Sequence, residues 1–194
     1  MTSIFTDEQI DILLRPIKAS RISQRSIGGK QMSYVEAWEV RAHLIRLFGF
    51  GGFDVITESC DLVFQRDVRV GQDKKPGWEV AYKAHVRLSI YTQGDLNGGE
   101  CKYSEVAVGS ATGSVGLGDL HDNAAKSAVS DALKRCAINL GTQYGLSLYD
   151  NGNRNDIVKS VIGVKAPKPD TTPEQDKQLA ESLGAKEVPA DTNA

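Results

Sequence analysis

Cysteine is scarce and unpatterned in this chain, which excludes two classes of protein at once. Cys60, Cys101 and Cys136 make an odd count without Cys-x-x-Cys spacing, and His43, His85 and His121 are scattered among them. Neither a disulfide scaffold nor a metal site fits, so free thiols in a reducing compartment are expected, with no metal and no cofactor. Long apolar runs are also missing. Nothing approaches the ~18 residues of a membrane helix, and the N-terminus lacks the apolar stretch of a signal peptide. The expectation is a soluble cytoplasmic protein with no membrane partner.

An excess of one charge is absent as well. The formal net charge is −2 and the pI about 5.9. Removing the 8 acidic and 6 basic residues of positions 150–194 from totals of 25 and 23 leaves 17 of each sign in residues 1–149. Such a body binds a polyanion only by sorting its charges onto one face. Proline is rare until the tail, where four of the six fall (Pro167, Pro169, Pro173, Pro189) among few large apolar residues. Residues 150–194 are therefore expected to be mostly disordered, with a brief helix from Thr172 to Leu183.

What is present centres on Asp119–Gly141, DLHDNAAKSAVSDALKRCAINLG, which has the period of one long amphipathic helix. Asp119 suits the N-cap and Gly141 the left-handed stop. Ala125, Val129, Ala132, Leu133, Cys136 and Leu140 share an arc that a sheet would cover. The opposite arc carries Ser127, Asp131, Lys134, Arg135 and Ile138. The adjacent Lys-Arg pair suits a surface that tracks phosphates. The plainer alternative is a solvated face with Asp131–Arg135 as an i,i+4 pair.

Thr6–Ile17 opens with a Thr6/Gln9 capping box and places Ile10, Leu13, Leu14 and Ile17 on one face, with Pro16 near its end. A helix this short must dock on something, so residues 1–20 are expected to mediate oligomerisation. Arg21–Lys30 is a basic connector in which Arg21, Arg25 and Lys30 flank Gly28 and Gly29. It is either a solvated loop or a place where backbone comes close to a ligand. Ser33–Phe48 is expected to be a second helix, with a Ser33/Glu36 capping box, a stop at Gly49, and Arg41 projecting into its apolar face. Phe53–Arg69, Trp78–Gln93 and Glu100–Ser110 alternate as strands, and their short connections predict an antiparallel meander. The run Gly109–Gly118 before the long helix lacks Gly-Lys-Ser/Thr and GxGxxG spacing, so it is expected to be a hinge rather than a phosphate loop.

In this order the pieces resemble the DNA-binding domain of the Rad fifty-two superfamily of single-strand annealing proteins. The resemblance is carried by Ile22–Val40 (ISQRSIGGKQMSYVEAWEV), by Phe48-Gly49 with Gly52-Phe53, by Glu105–Gly109, and most closely by Ala128–Arg135 (AVSDALKR) with Leu140-Gly141. It covers about residues 20–149. It implies an α+β domain, a three-stranded antiparallel meander packed by a long helix (β-β-β-α) with N-terminal helices, assembling into a homo-oligomeric ring. Residues 1–149 would be the annealing domain. Single-stranded DNA would lie in a basic groove, its backbone held by Arg25, Lys134 and Arg135 with Tyr34 beside them. Charge placement adds Lys126, Lys30 and Arg87. Two departures stand out: Ile138 occupies a position that is usually basic in eukaryotic members, and the glycine turn is one residue shorter.

The implied activity is ATP-independent binding of single-stranded DNA and annealing of complementary strands in homologous recombination and repair, with no catalysis. A compact phage or bacterial version is expected, acting in the cytoplasm of the host cell. Its tail would recruit a recombination exonuclease or a single-strand-binding protein. The alternatives are a module that protects single strands or recruits partners without annealing, and a small enzyme using Gly109–Gly118. No nucleophile–base pair is recognisable along the sequence to support the enzyme.

Overall fold

The computed structural model describes residues 4–91, 99–114 and 116–161. Of the tail expected to be disordered from residue 150, residues 150–161 are described; residues 162–194, which hold the expected short helix, lie outside the described residues. The chain divides into two compact units, residues 1–43 with 138–194 and residues 44–137. Among the described residues no helix is long and apolar enough to cross a membrane.

In the first unit, helix α1 spans Asp7–Leu13. Its capping box is the expected one: Thr6 Oγ1 accepts from the Gln9 backbone N–H at 3.2 Å, and Gln9 Oε1 accepts from the Thr6 N–H at 2.9 Å. The helix closes at Leu14 because Pro16 disfavours helical backbone in the residue before it. Ile10, Leu14 and Ile17 are buried within this chain, so most of the apolar face ascribed to oligomerisation is already covered.

The basic connector is a hairpin instead of a loop. Strands β1 (Ser23–Ile27) and β2 (Lys30–Tyr34) pair antiparallel, with Ile27 opposite Lys30. Gly28 and Gly29 form the two-residue turn with φ of +57° and +80°. Both central residues of such a turn need positive φ, which glycine adopts without strain. Ser33 consequently pairs with Gln24 and caps no helix; α2 runs Ala37–Phe48 and ends at Gly49 as expected.

The face that α2 buries also differs from the expectation. Glu39 and His43 are buried, whereas Arg41 is exposed and Trp38 is 68% exposed. The cause lies in Arg21. Its Nε donates to Glu39 Oε1 at 2.6 Å, and its Nη1 donates to Gln143 Oε1 at 2.7 Å and faces His43 Nε2 at 3.4 Å. The Gln143 amide donates in turn to the carbonyls of Arg15 and Pro16. Arg21 and Glu39 side chains are only 9% and 8% exposed. A buried charge must find its counter-charge, and that demand turns Glu39 inward. Gln143 itself lies in a short 3-10 turn, Thr142–Tyr144, followed by another at Leu146–Tyr149.

The second unit holds the expected meander: β3 (Phe53–Val70), β4 (Lys75–Tyr91) and β5 (Glu100–Gly113), ordered β3-β4-β5 and antiparallel throughout. In β4, Val80, Ala84, Val86, Leu88 and Ile90 are buried on one face while Lys83, His85 and Arg87 point to the other. Helix α3 (Leu117–Ile138) packs on the apolar face. Val80, Leu120 and Ala124 form a buried cluster there, joined by Trp78, Tyr82, Ala111 and Leu117.

The stripe that α3 buries begins with Leu120, Ala124 and Ala128, where the sequence suggests Ala125 and Val129. The reason is a close approach. A Cβ on Gly109 of β5 would lie 2.3 Å from Ala128 N and 2.5 Å from Ala124 O. Only a row of small residues lets helix and sheet backbones come this near. An i,i+4 row advances about 40° round the helix per step, so burial then swings through Ala132 to Leu133 and Cys136, as expected for that half, and on to Ala137. Gly109–Gly113 thus completes β5 and is no hinge; only the few residues before Leu117 connect strand and helix.

Two stability measurements test these points. Gly109→Ala should cost about 1–3 kcal/mol of unfolding free energy, because both atoms it meets are backbone. Gly118→Ala, whose Cβ meets nothing, should be neutral or stabilising by about 0.5 kcal/mol; denaturant midpoints that rank the two oppositely would reject the close-approach account. Glu39→Leu should cost about 3 kcal/mol by stranding Arg21, and adding Arg21→Leu should recover part of that loss. Strictly additive losses in the double-mutant cycle would show that the pair is uncoupled.

Candidate nucleic-acid interface

Each unit carries part of the predicted set. In the first, the β1–β2 register puts Arg25 opposite Met32, Ser23 opposite Tyr34 and Ile27 opposite Lys30. Directly opposed residues share a face, so Arg25, Lys30, Met32 and Tyr34 project from the same side of the hairpin. Arg25 and Lys30 are exposed. The Arg25 guanidinium lies over the Tyr34 ring, 5.1 Å from its centroid, a contact that orients the cation while leaving N–H groups for a ligand.

Tyr34 contributes its ring and not its hydroxyl. Its O–H donates to Glu36 Oε1 at 2.6 Å. That hydrogen bond, followed by desolvation, raises the phenol above its ordinary pKa. The hydroxyl is therefore committed, and an exposed face with two cations, an aromatic ring and Met32 remains. Arg21, grouped in the sequence with Arg25 and Lys30, does not belong to it, because its guanidinium is consumed inside.

In the second unit, Lys134 and Arg135 lie on the arc of α3 opposite Leu133, Cys136 and Ala137, as the periodicity predicts. Arg135 is exposed. Lys134 is less open, its side chain 21% exposed, with Nζ 2.5 Å from Asp131 Oδ1. The acid on this arc thus pairs i,i+3 with Lys134, where the sequence suggests Arg135. Lys126 is exposed on α3 and pairs with Asp122 at 2.5 Å.

Arg87 stands apart from the α3 cations. It projects from the sheet face opposite α3, where its Nη1 sits 2.9 Å from Glu58 Oε1. Lys134, Arg135 and Lys126 are therefore brought onto one helix, and Arg25, Lys30 and Tyr34 onto one hairpin face, but Arg87 joins neither. Two exposed aromatics give the sequence no distinctive signal: Trp38 on α2, and Phe50, 91% exposed between Gly49 and Gly51.

Comparison with known proteins follows the same pieces. The model of the Rad52/22 family of double-strand break repair proteins matches residues 7–163. Among curated proteins, the chain is 26% identical over 148 residues to the fission yeast (Schizosaccharomyces pombe) DNA repair and recombination protein rad22, covering 76% of this chain and 29% of that one. It is 26% identical over 160 residues to the same organism's DNA repair and recombination protein rti1, covering 80% and 40% respectively. The chain thus spans well under half the length of either relative. A match over most of its length, with the β-β-β-α unit and the Lys134-Arg135 helix inside it, means that this chain belongs to the Rad52/22 family of double-strand break repair proteins.

Proposed function

We propose that this chain binds single-stranded DNA and anneals complementary strands without ATP, acting in recombinational repair as a homo-oligomeric ring. The observation that carries this reading is the family match over residues 7–163, which spans the hairpin, the meander and the long helix together. The names of the two relatives, both DNA repair and recombination proteins, point the same way.

The chemistry is consistent with the role. Annealing is downhill, so the protein has only to hold two backbones and leave base edges free. Arg25, Lys30, Arg135 and Lys134 offer point contacts to phosphate, and the Tyr34 ring offers a stacking surface. Lys126 and Arg87 are secondary members, since charge placement alone suggests them; each faces a carboxylate, as Lys134 also does. Because residues 1–149 carry equal charges of each sign, these cations act by local placement, and a few contacts per subunit become strong only when repeated round an assembly. The tail would add a partner, either a recombination exonuclease or a single-strand-binding protein.

The activity test is renaturation of complementary oligonucleotides in the absence of nucleotide. Acceleration is expected; binding without acceleration would favour a protective or recruiting module instead. For the site, Arg25→Ala, Lys134→Ala and Arg135→Ala should each weaken single-strand binding regardless of base sequence. Each should also flatten log K against log[salt] by about 0.7 per lost contact. Their melting curves should move little, since surface changes are usually within about 0.5 kcal/mol. Lys177→Ala in the tail serves as the control. An unchanged salt slope for Arg135→Ala would remove that residue from the interface.

A further inference from the structure

A Ser–His–Glu relay lies on the sheet face away from α3, and the DNA-binding reading makes no use of it. Glu58 comes from β3, His85 from β4 and Ser104 from β5. His85 Nε2 is 2.8 Å from Ser104 Oγ, and His85 Nδ1 is 3.1 Å from Glu58 Oε2. In the tautomer that carries the ring proton on Nδ1, toward the carboxylate, the Nε2 lone pair faces the hydroxyl. Hydroxyl to base and base to carboxylate is the order of contacts that makes a serine nucleophilic.

Sheet register accounts for the meeting. His85 opposes Ser59 on one side and Val106 on the other, which makes Ser104 its diagonal neighbour on the same face. Glu58 sits at the register shift between Thr57 and Ser59. In a regular strand it would point to the opposite face from Ser59; the bulge re-aims it toward His85. Its second oxygen is held by Arg87 Nη1 at 2.9 Å.

Arg87 is also the cross-strand partner of Ser104. Its Nε is buried and has no hydrogen-bond partner among the described residues. The register thus brings a cation to the strand position beside Ser104. Ile56 and Val106, register partners of Arg87 and His85, are exposed and make a shallow apolar shelf. The shelf suits a short acyl chain.

We propose that Ser104 is an activated nucleophile and that this sheet face hydrolyses small activated esters with short acyl groups. Ser104 Oγ forms a bond to the carbonyl carbon while its proton passes to His85 Nε2. The bond to the leaving alkoxide or phenoxide breaks, and that group departs with the proton. Water then attacks the acyl-serine through the same base, releasing the carboxylic acid and restoring the hydroxyl. Glu58 acts as a positioning residue that holds the imidazole.

The test uses the full chain with 4-nitrophenyl acetate and, separately, a fluorophosphonate probe. A single adduct mapped to Ser104 by mass spectrometry is expected, together with release of nitrophenolate above the rate of buffer. Ser104→Ala should abolish the adduct, and His85→Ala should slow its formation about 100-fold. Glu58→Gln should lower the limiting rate about tenfold without raising the half-saturating reagent concentration. Ser104→Cys, which keeps a nucleophile in place, should still be labelled, so a lost adduct in Ser104→Ala cannot be put down to misfolding. Equal labelling of the native chain and Ser104→Ala, or an adduct confined to a cysteine or lysine, would overturn the proposal.

Discussion

The close approach of α3 to β5 is the constraint on which the second unit depends. Gly109 has no side chain, Ala124 and Ala128 have almost none, and the two backbones come together in the space left. Dispersion and burial reward this contact only if all three positions stay small. Once the contact is made, the rotation of α3 is no longer free. Leu120, Ala124 and Ala128 must face the sheet, the i,i+4 row carries burial round to Leu133 and Cys136, and Lys134 and Arg135 are left facing outward. The chemistry offered by the helix thus follows from a packing requirement two turns away.

A second constraint, electrostatic this time, organises the first unit. Arg21 and Arg25 are four residues apart in one basic segment, yet they serve opposite purposes. Arg21 is withdrawn from water and matched by Glu39, Gln143 and the edge of His43. Arg25 is left on the exposed face of a hairpin, steadied by Tyr34. Burying the first turns Glu39 inward and, by helical geometry, turns Trp38 and Arg41 outward. In a chain of net charge −2, local pairing and burial thus decide which cations reach the surface.

The outer face of the sheet belongs to neither arrangement. That face is not covered by α3; alternation along β4 delivers Lys83, His85 and Arg87 to it, beside the exposed Ile56 and Val106. The bulge in β3 adds Glu58 and the register of β5 adds Ser104.

Much of this fold was legible in the residues. The period-two alternation of β4, the Thr6/Gln9 box, the stop at Gly49 and the outward arc of Lys134 and Arg135 are local signals, and local interactions enforce them. The β1–β2 hairpin was not legible, although Gly28-Gly29 marks its turn, because its strands are only five residues long and mostly polar, too short for Met32 and Tyr34 to set a period. Capping chemistry at Ser33 competed with strand pairing, and pairing won. Which row of α3 is buried could not be read from hydrophobicity, since Val129 outweighs Ala128 on any such scale; the missing Cβ of Gly109, from another strand, decides it. The fate of Arg21 rested on Glu39 and on Gln143, the latter 122 positions away. Ser104, His85 and Glu58 are far apart in the chain and follow no motif. Apart from that hairpin, sequence determined the elements, because those depend on neighbours within a turn or two. Tertiary structure decided which side chains met, because register, a bulge and one small contact bring together residues that the chain itself keeps apart.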